Sequence, residues 1–113
     1  MTRRLPGRFV PHGVLVRDLV GRSGTGPIYG PARDVERTFV TDERKLVRDE
    51  QGREVVSESQ VVLDLDVHVA LGSLVTVRPG SPDQREAKVI AVDRRPHRSG
   101  RRPLPPYQQL YLE

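Results

Sequence analysis

Residues 44–66 read RKLVRDEQGREVVSESQVVLDLD, two segments rich in β-branched residues on either side of the polar turn Asp49-Glu50-Gln51-Gly52. Gly52 supplies the positive φ that such a turn needs, and Leu46, Val47, Val55 and Val56 sit on its flanks. The pattern predicts a long β-hairpin, Arg44 to Asp49 against Arg53 to Leu65, whose second arm is long enough to bend or break at Ser57, Glu58 and Ser59. Beyond the kink the alternation is clean. Val61, Leu63, Leu65, Val67 and Val69 share one face, while Val62, Asp64, Asp66 and His68 take the other. That is the signature of a half-buried antiparallel strand, or of two shorter ones joined at a corner.

The rest of the chain is read against this hairpin. Downstream, Leu71-Gly72-Ser73 is a turn, and Leu74 to Val77 and Arg85 to Val92 form a second hairpin about the Pro/Gly turn Arg78 to Asp83. Tyr107 to Leu112 closes the chain as a final strand. Upstream, Val14 to Val20 is the first strand, and Gly21 to Pro31, with four glycines and two prolines, reads as a loop too irregular for a tight hairpin. Asp34 to Asp42 reads as the second strand, with helix as the alternative; Val35, Arg37, Phe39 and Thr41 fall on one face and Glu36, Thr38 and Val40 on the other. Residues 1–13 form an extended arm, and Arg94 to Pro106, with five Arg and four Pro, a long exposed loop. The sum is an all-β chain: a small antiparallel β-barrel, or strongly curled sandwich, of six or seven strands over residues 14–113, with an extended N-terminal arm and long loops.

A length of 113 residues bounds this to one domain with one core. With 35% apolar residues and only three Tyr and two Phe, that core must be built from Val and Leu. The net charge of +4 is concentrated outside the strands: residues 14–92 hold 11 basic and 13 acidic side chains. Such tails are either solvated or directed at nucleic acid or an acidic protein surface. The absence of cysteine excludes disulfides and thiol chemistry. No stretch approaches the roughly 20 apolar residues of a membrane span, so a soluble protein is expected.

Candidate chemistry is sparse. Asp64, Asp66 and His68 lie at alternate strand positions, roughly 7 Å apart per step, too wide for a compact metal shell; a solvated or subunit-facing strip is the expectation. Gly21, Gly24 and Gly26 lack the Lys-Ser/Thr of a phosphate loop. His12, His68 and His97 accompany no nucleophile with an orienting acid, and the Asp42-Glu43 and Asp49-Glu50 pairs fall at turns. No catalytic residue, metal site or cofactor is assigned, and an enzyme is the least favoured class. The strand, Gly turn, strand layout of Leu71 to Val92 is also that of SH3-like barrels, some of which bind nucleic acid. A small basic β-barrel touching phosphates through Arg78, Arg85 and Lys88 is therefore the alternative function.

Four stretches carry a family likeness: RRLPGRFVPHGVLV (3–16), ERKLVRDEQGREVVSES (43–59), LDVHVALGSLVTVRPG followed by REAKVIAV (65–92), and LPPYQQLYLE (104–113). Together they resemble head-closure proteins of tailed bacteriophages, the head-to-tail stoppers, particularly those from phages of high-GC actinobacteria. The resemblance implies a β-barrel subunit of a ring, typically hexameric, in the virion neck after assembly in the host cytoplasm. Its partners would be other copies of itself, an adaptor or portal-side connector protein, a tail terminator or tail-tube protein, and packaged double-stranded DNA. It further implies that the hairpin Asp42 to Val55 projects into the channel with Asp49, Glu50, Gln51, Gly52 and Arg53 at its tip, where acidic groups would repel DNA. Arg3, Arg4, Phe9, Arg94, Arg95, Arg98, Arg101 and Arg102 would then dock on neighbouring rings.

Overall fold

The computed structural model describes residues 12–95 and 107–113. Eight strands account for most of them: β1 (His12–Ser23), β2 (Gly26–Thr41), β3 (Lys45–Arg48), β4 (Glu54–Ser57), β5 (Ser59–Asp64), β6 (Leu74–Val77), β7 (Arg85–Arg95) and β8 (Tyr107–Leu112). Six of them form one antiparallel sheet in the order β1-β2-β5-β8-β7-β6, and β6 pairs back onto β1, so the sheet closes into a barrel. Closure leaves no edge along the paired segments, which is how a short-stranded sheet avoids joining another. The apolar part of the interior is aliphatic, with the buried polar side chains of Thr38, Gln60, Asp64 and Gln108 beside it. Val14 and Val16 of β1, Val61 and Leu63 of β5, Val75 and Val77 of β6, Val89 of β7 and Leu110 and Leu112 of β8 are all nearly inaccessible. Period-two alternation places each of these inside, and branched side chains fill a narrow barrel without aromatics.

Both hairpins that flank the long central stretch form as expected. Gly52, Gly72 and Gly80 all adopt positive φ at their turns. At Gly72 the constraint is also steric, since a Cβ there would lie 2.8 Å from Leu19 Cδ2. The expected kink is real: Glu58 separates β4 from β5. Its cause is the far end of the chain, because the single O–H of buried Ser57 lies within reach of the carbonyls of Ser59 (3.0 Å) and Leu112 (2.9 Å) while Glu58 N–H donates to Leu112 O (3.0 Å).

Several expectations are corrected. Gly21 to Pro31 is not a loop: β1 runs on to Ser23 and β2 begins at Gly26, whose φ of 124° makes the two-residue reversal at Gly24-Thr25 possible. Register shifts between Arg17 and Leu19 and between Leu19 and Gly21 take up the irregularity, and Pro31 falls in the first of them, where a missing N–H breaks no ladder bond. A third shift, between His12↔Thr38 and Val14↔Val35, changes the faces of β2. Val35 thereby joins Thr38 on the buried side instead of opposing it. The strand drawn from Val61 to Val69 ends at Asp64, and Leu65-Asp66 turn the chain; Val69 still reaches the core from the connecting segment. Arg94 and Arg95 belong to β7 rather than to an exposed loop. The remainder of that loop, residues 96–106, and residues 1–11 of the arm lie outside the described residues; His12 and Gly13 open β1. There the His12 ring stacks on Phe39 and its Nδ1 accepts the Val40 N–H at 3.0 Å.

Candidate functional site

Strands β3 and β4 stand apart from the barrel as a two-stranded sheet of their own, inserted between β2 and β5. Lys45 pairs with Ser57, Leu46 with Val56, Val47 with Val55 and Arg48 with Glu54. One face, with Val47 and Val55, is half-buried; the other is open, leaving Leu46 70% and Val56 38% exposed. An apolar cross-strand pair on an open face adds nothing to the core. Around it run ion pairs between the two strands, Arg44 with Glu58 at 3.4 Å and Arg48 with Glu54 at 3.9 Å, all largely solvated.

The tip is organised by Asp49. Its Oδ1 accepts the backbone N–H groups of Gln51 and Arg53, each at 3.0 Å, and its Oδ2 pairs with Arg53 Nε at 3.3 Å. Asp49 N–H donates to Arg53 O and Gly52 N–H to Asp49 O, both at 3.0 Å, while Arg48 Nη1 caps Gly52 O at 2.9 Å. Partial burial pushes the Asp49 carboxyl up, but the N–H groups of Arg53 and Gln51 and the Arg53 guanidinium outweigh it and hold the group below the ordinary carboxylate range. Asp49 is thus the organiser of the turn rather than a charge presented at its end; Glu50, bonded among the described residues to the Gln51 amide at 3.1 Å, is the acidic side chain that faces outward.

This geometry fixes a pH dependence. The folded tip binds the ionised Asp49, so the tip's stabilisation is complete above the unfolded value near pH 4 and is lost as pH falls through the lower folded value. Amide exchange measured by NMR is expected to show constant protection of the Gln51 and Arg53 N–H groups from pH 7 to about 4 and a collapse below it. Protection that persisted unchanged to pH 2, or that was equally strong in Asp49→Ala, would contradict this.

The remaining sequence-derived residues are dispersed. Arg94 is engaged within its own chain, donating to Leu65 O at 3.1 Å and to Gln108 Oε1 at 3.4 Å, and Arg95 pairs with Tyr107 at the end of β7. Arg3, Arg4, Phe9, Arg98, Arg101 and Arg102 lie outside the described residues. The Asp64, Asp66 and His68 strip is broken up. Asp64 is buried against Arg37, whose Nε lies 2.7 Å away; His68 is exposed and its carbonyl accepts Arg33 Nη2 at 2.6 Å. The bond to Asp64, opposed by burial and reinforced by the charges of Asp64 and Asp66, raises the Arg37 pKa. Among the described residues no group of three His, Cys, Asp or Glu is placed to hold a metal. No helix of the described residues is long and apolar enough to cross a membrane.

Sequence reasoning missed a second projection. β1 pairs with β6 only over Val14–Arg17 and β2 with β5 only over Thr38–Thr41, so their far ends form a ribbon beyond the barrel. Val20, 64% exposed, and Ile28 lie on it, and Arg17 stacks over the Tyr29 ring at 5.6 Å. The only signal was Ile28-Tyr29 within an apparently structureless loop.

The charge also falls differently from the basic-barrel alternative. The described residues hold 13 basic and 15 acidic side chains, a net of −2, so the six arginines outside them carry the whole excess that brings the chain to +4. Arg78 pairs with Asp42, Lys88 with Glu113 at 3.7 Å, and Arg85 bonds Ser59 Oγ and Glu113 O at 2.6 and 2.8 Å. Comparison of the chain with protein-family models, with curated proteins and with solved structures returns no match.

Proposed function

We propose that this chain is a structural ring subunit of a phage neck, closing the DNA-filled head beneath the portal and adaptor and offering a surface to the tail. The observation that carries the reading is the β3–β4 hairpin. The barrel core is complete without it, yet it is internally ordered through Asp49, and its open face keeps Leu46 and Val56 in solvent. An ordered projection that places no apolar side chain in its own core cluster is built for contact with something else. It stands mid-chain, where the resemblance to head-closure proteins puts the channel element. The acidic excess of the described residues favours such a protein-contacting role over phosphate binding, which depends on unengaged cations.

Electron cryomicroscopy of intact virions and tail-less heads from the source tests this. Ring density for this chain below the portal is expected, with the Asp49 to Arg53 tip at the channel wall. Particles that lack the chain would overturn the reading, and salt-dependent binding of the purified chain to duplex DNA would then be the next measurement.

A further inference from the structure

The open face of the β3–β4 hairpin is divided by charge. Strand β3 and the residue before it present Arg44, Leu46 and Arg48; β4 and the residue after it present Glu54, Val56 and Glu58. One margin is therefore basic, apolar, basic and the other acidic, apolar, acidic. Neither strand pairs with any further strand among the described residues, so both outer edges offer unpaired backbone groups. Such an edge is a template for another strand, and mixed or like charges are the usual means of blocking it. Here the charges do not block; they select. Two β3 edges brought together would oppose Arg to Arg, and two β4 edges Glu to Glu, both destabilising, whereas β3 against β4 of a second copy matches every position.

We propose that the hairpin is a head-to-tail contact between copies of this chain, the β3 edge of one adding to the β4 edge of the next. In the register the hairpin itself uses, Arg44 meets Glu58, Leu46 meets Val56 and Arg48 meets Glu54 across the junction. On the other face Val47 meets Val55. The internal ion pairs are long and solvated, at 3.4 and 3.9 Å, so their charges are available to a neighbour on the outer side. A heterologous contact of this kind repeats from copy to copy and generates a ring where its rotation closes. The inference rests on the self-association that the proposed function requires, and adds which surface makes it and with what polarity.

The test uses the full chain and two charge variants, R44E/R48E and E54R/E58R, in sedimentation velocity, with circular dichroism to verify that each folds. Each variant turns both margins to one sign, so each alone is expected to associate at least about tenfold more weakly than the wild type. Mixed one to one, they are expected to recover association, because each basic margin again meets an acidic one on its neighbour. The repulsion inside each hairpin persists in the mixture, so recovery arises only between chains. Variants that associate as the wild type does would overturn the hairpin contact and leave the ring reading intact. Folded variants that fail to recover on mixing would overturn the head-to-tail pairing. A wild type that stays monomeric at every concentration and salt would overturn both.

Discussion

Leu110→Ala is expected to lower the unfolding free energy by about 2–5 kcal/mol, the cost of a cavity in a wall that relaxes only partly. Leu110 has no solvent exposure and lies on β8 between Val61 of β5 and Val92 of β7. The interior around it consists mostly of valines, which are stiff at χ1 and have little reach to fill a void. Against a total of about 5–15 kcal/mol for a domain of this kind, the loss is a large share. Urea denaturation reads it as a lower midpoint with an unchanged slope. Leu46→Ala, on the open hairpin face, is expected to change stability by no more than about 0.5 kcal/mol. Equal costs at the two positions would mean that the hairpin is part of the core after all.

Gln108→Leu is expected to be nearly as damaging for a different reason. Gln108 is fully buried, and its Nε2 donates to the Asp64 carbonyl at 2.9 Å and to the Val67 carbonyl, where the chain leaves β5 and turns. Its Oε1 accepts Arg94 at 3.4 Å. Leucine fills the same space but removes the amide donor from both carbonyls, leaving Val67 O without it and Asp64 O with the Val67 N–H alone, at a cost of about 1–3 kcal/mol for a buried carbonyl left unsatisfied. The same denaturation experiment measures the cost. A variant as stable as the wild type would show that water reaches those carbonyls in its place.

The strands were legible wherever a period of two ran between turn glycines. Asp49 to Gly52, Gly72 and Gly80 mark turns that the structure contains, and Val61 and Leu63 of β5, Val75 and Val77 of β6, and Ala87 and Val89 of β7 are buried at alternate positions. The ribbon was not legible because bulges at Val20 and Gly30-Pro31 break the period on which the reading depends, and glycine and proline there look like a loop until register is known. The same blindness hid the face of Val35. Asp64, expected on a solvated or subunit-facing strip, is instead buried, because its partner, Arg37, comes from a strand distant in sequence. At the hairpin, residues and turn were visible from the start. The role of Asp49 as turn organiser was not, since an Asp at a turn reads equally well as a free charge. The separation of Arg44 and Arg48 from Glu54 and Glu58 acquires meaning only once Leu46 is known to oppose Val56.

The way the barrel closes has a kinetic corollary. β1–β2, β3–β4, β6–β7 and β7–β8 pair consecutive strands, but β8 must also find β5, and β1 must find β6 across much of the chain. Loop-closure entropy is lost before those contacts reward it, so folding in milliseconds to seconds rather than microseconds is expected. Until β8 docks, Ser57 lacks the Leu112 carbonyl that helps bend the chain at Glu58. The hairpin would therefore take its final angle late, after the barrel that carries it has formed.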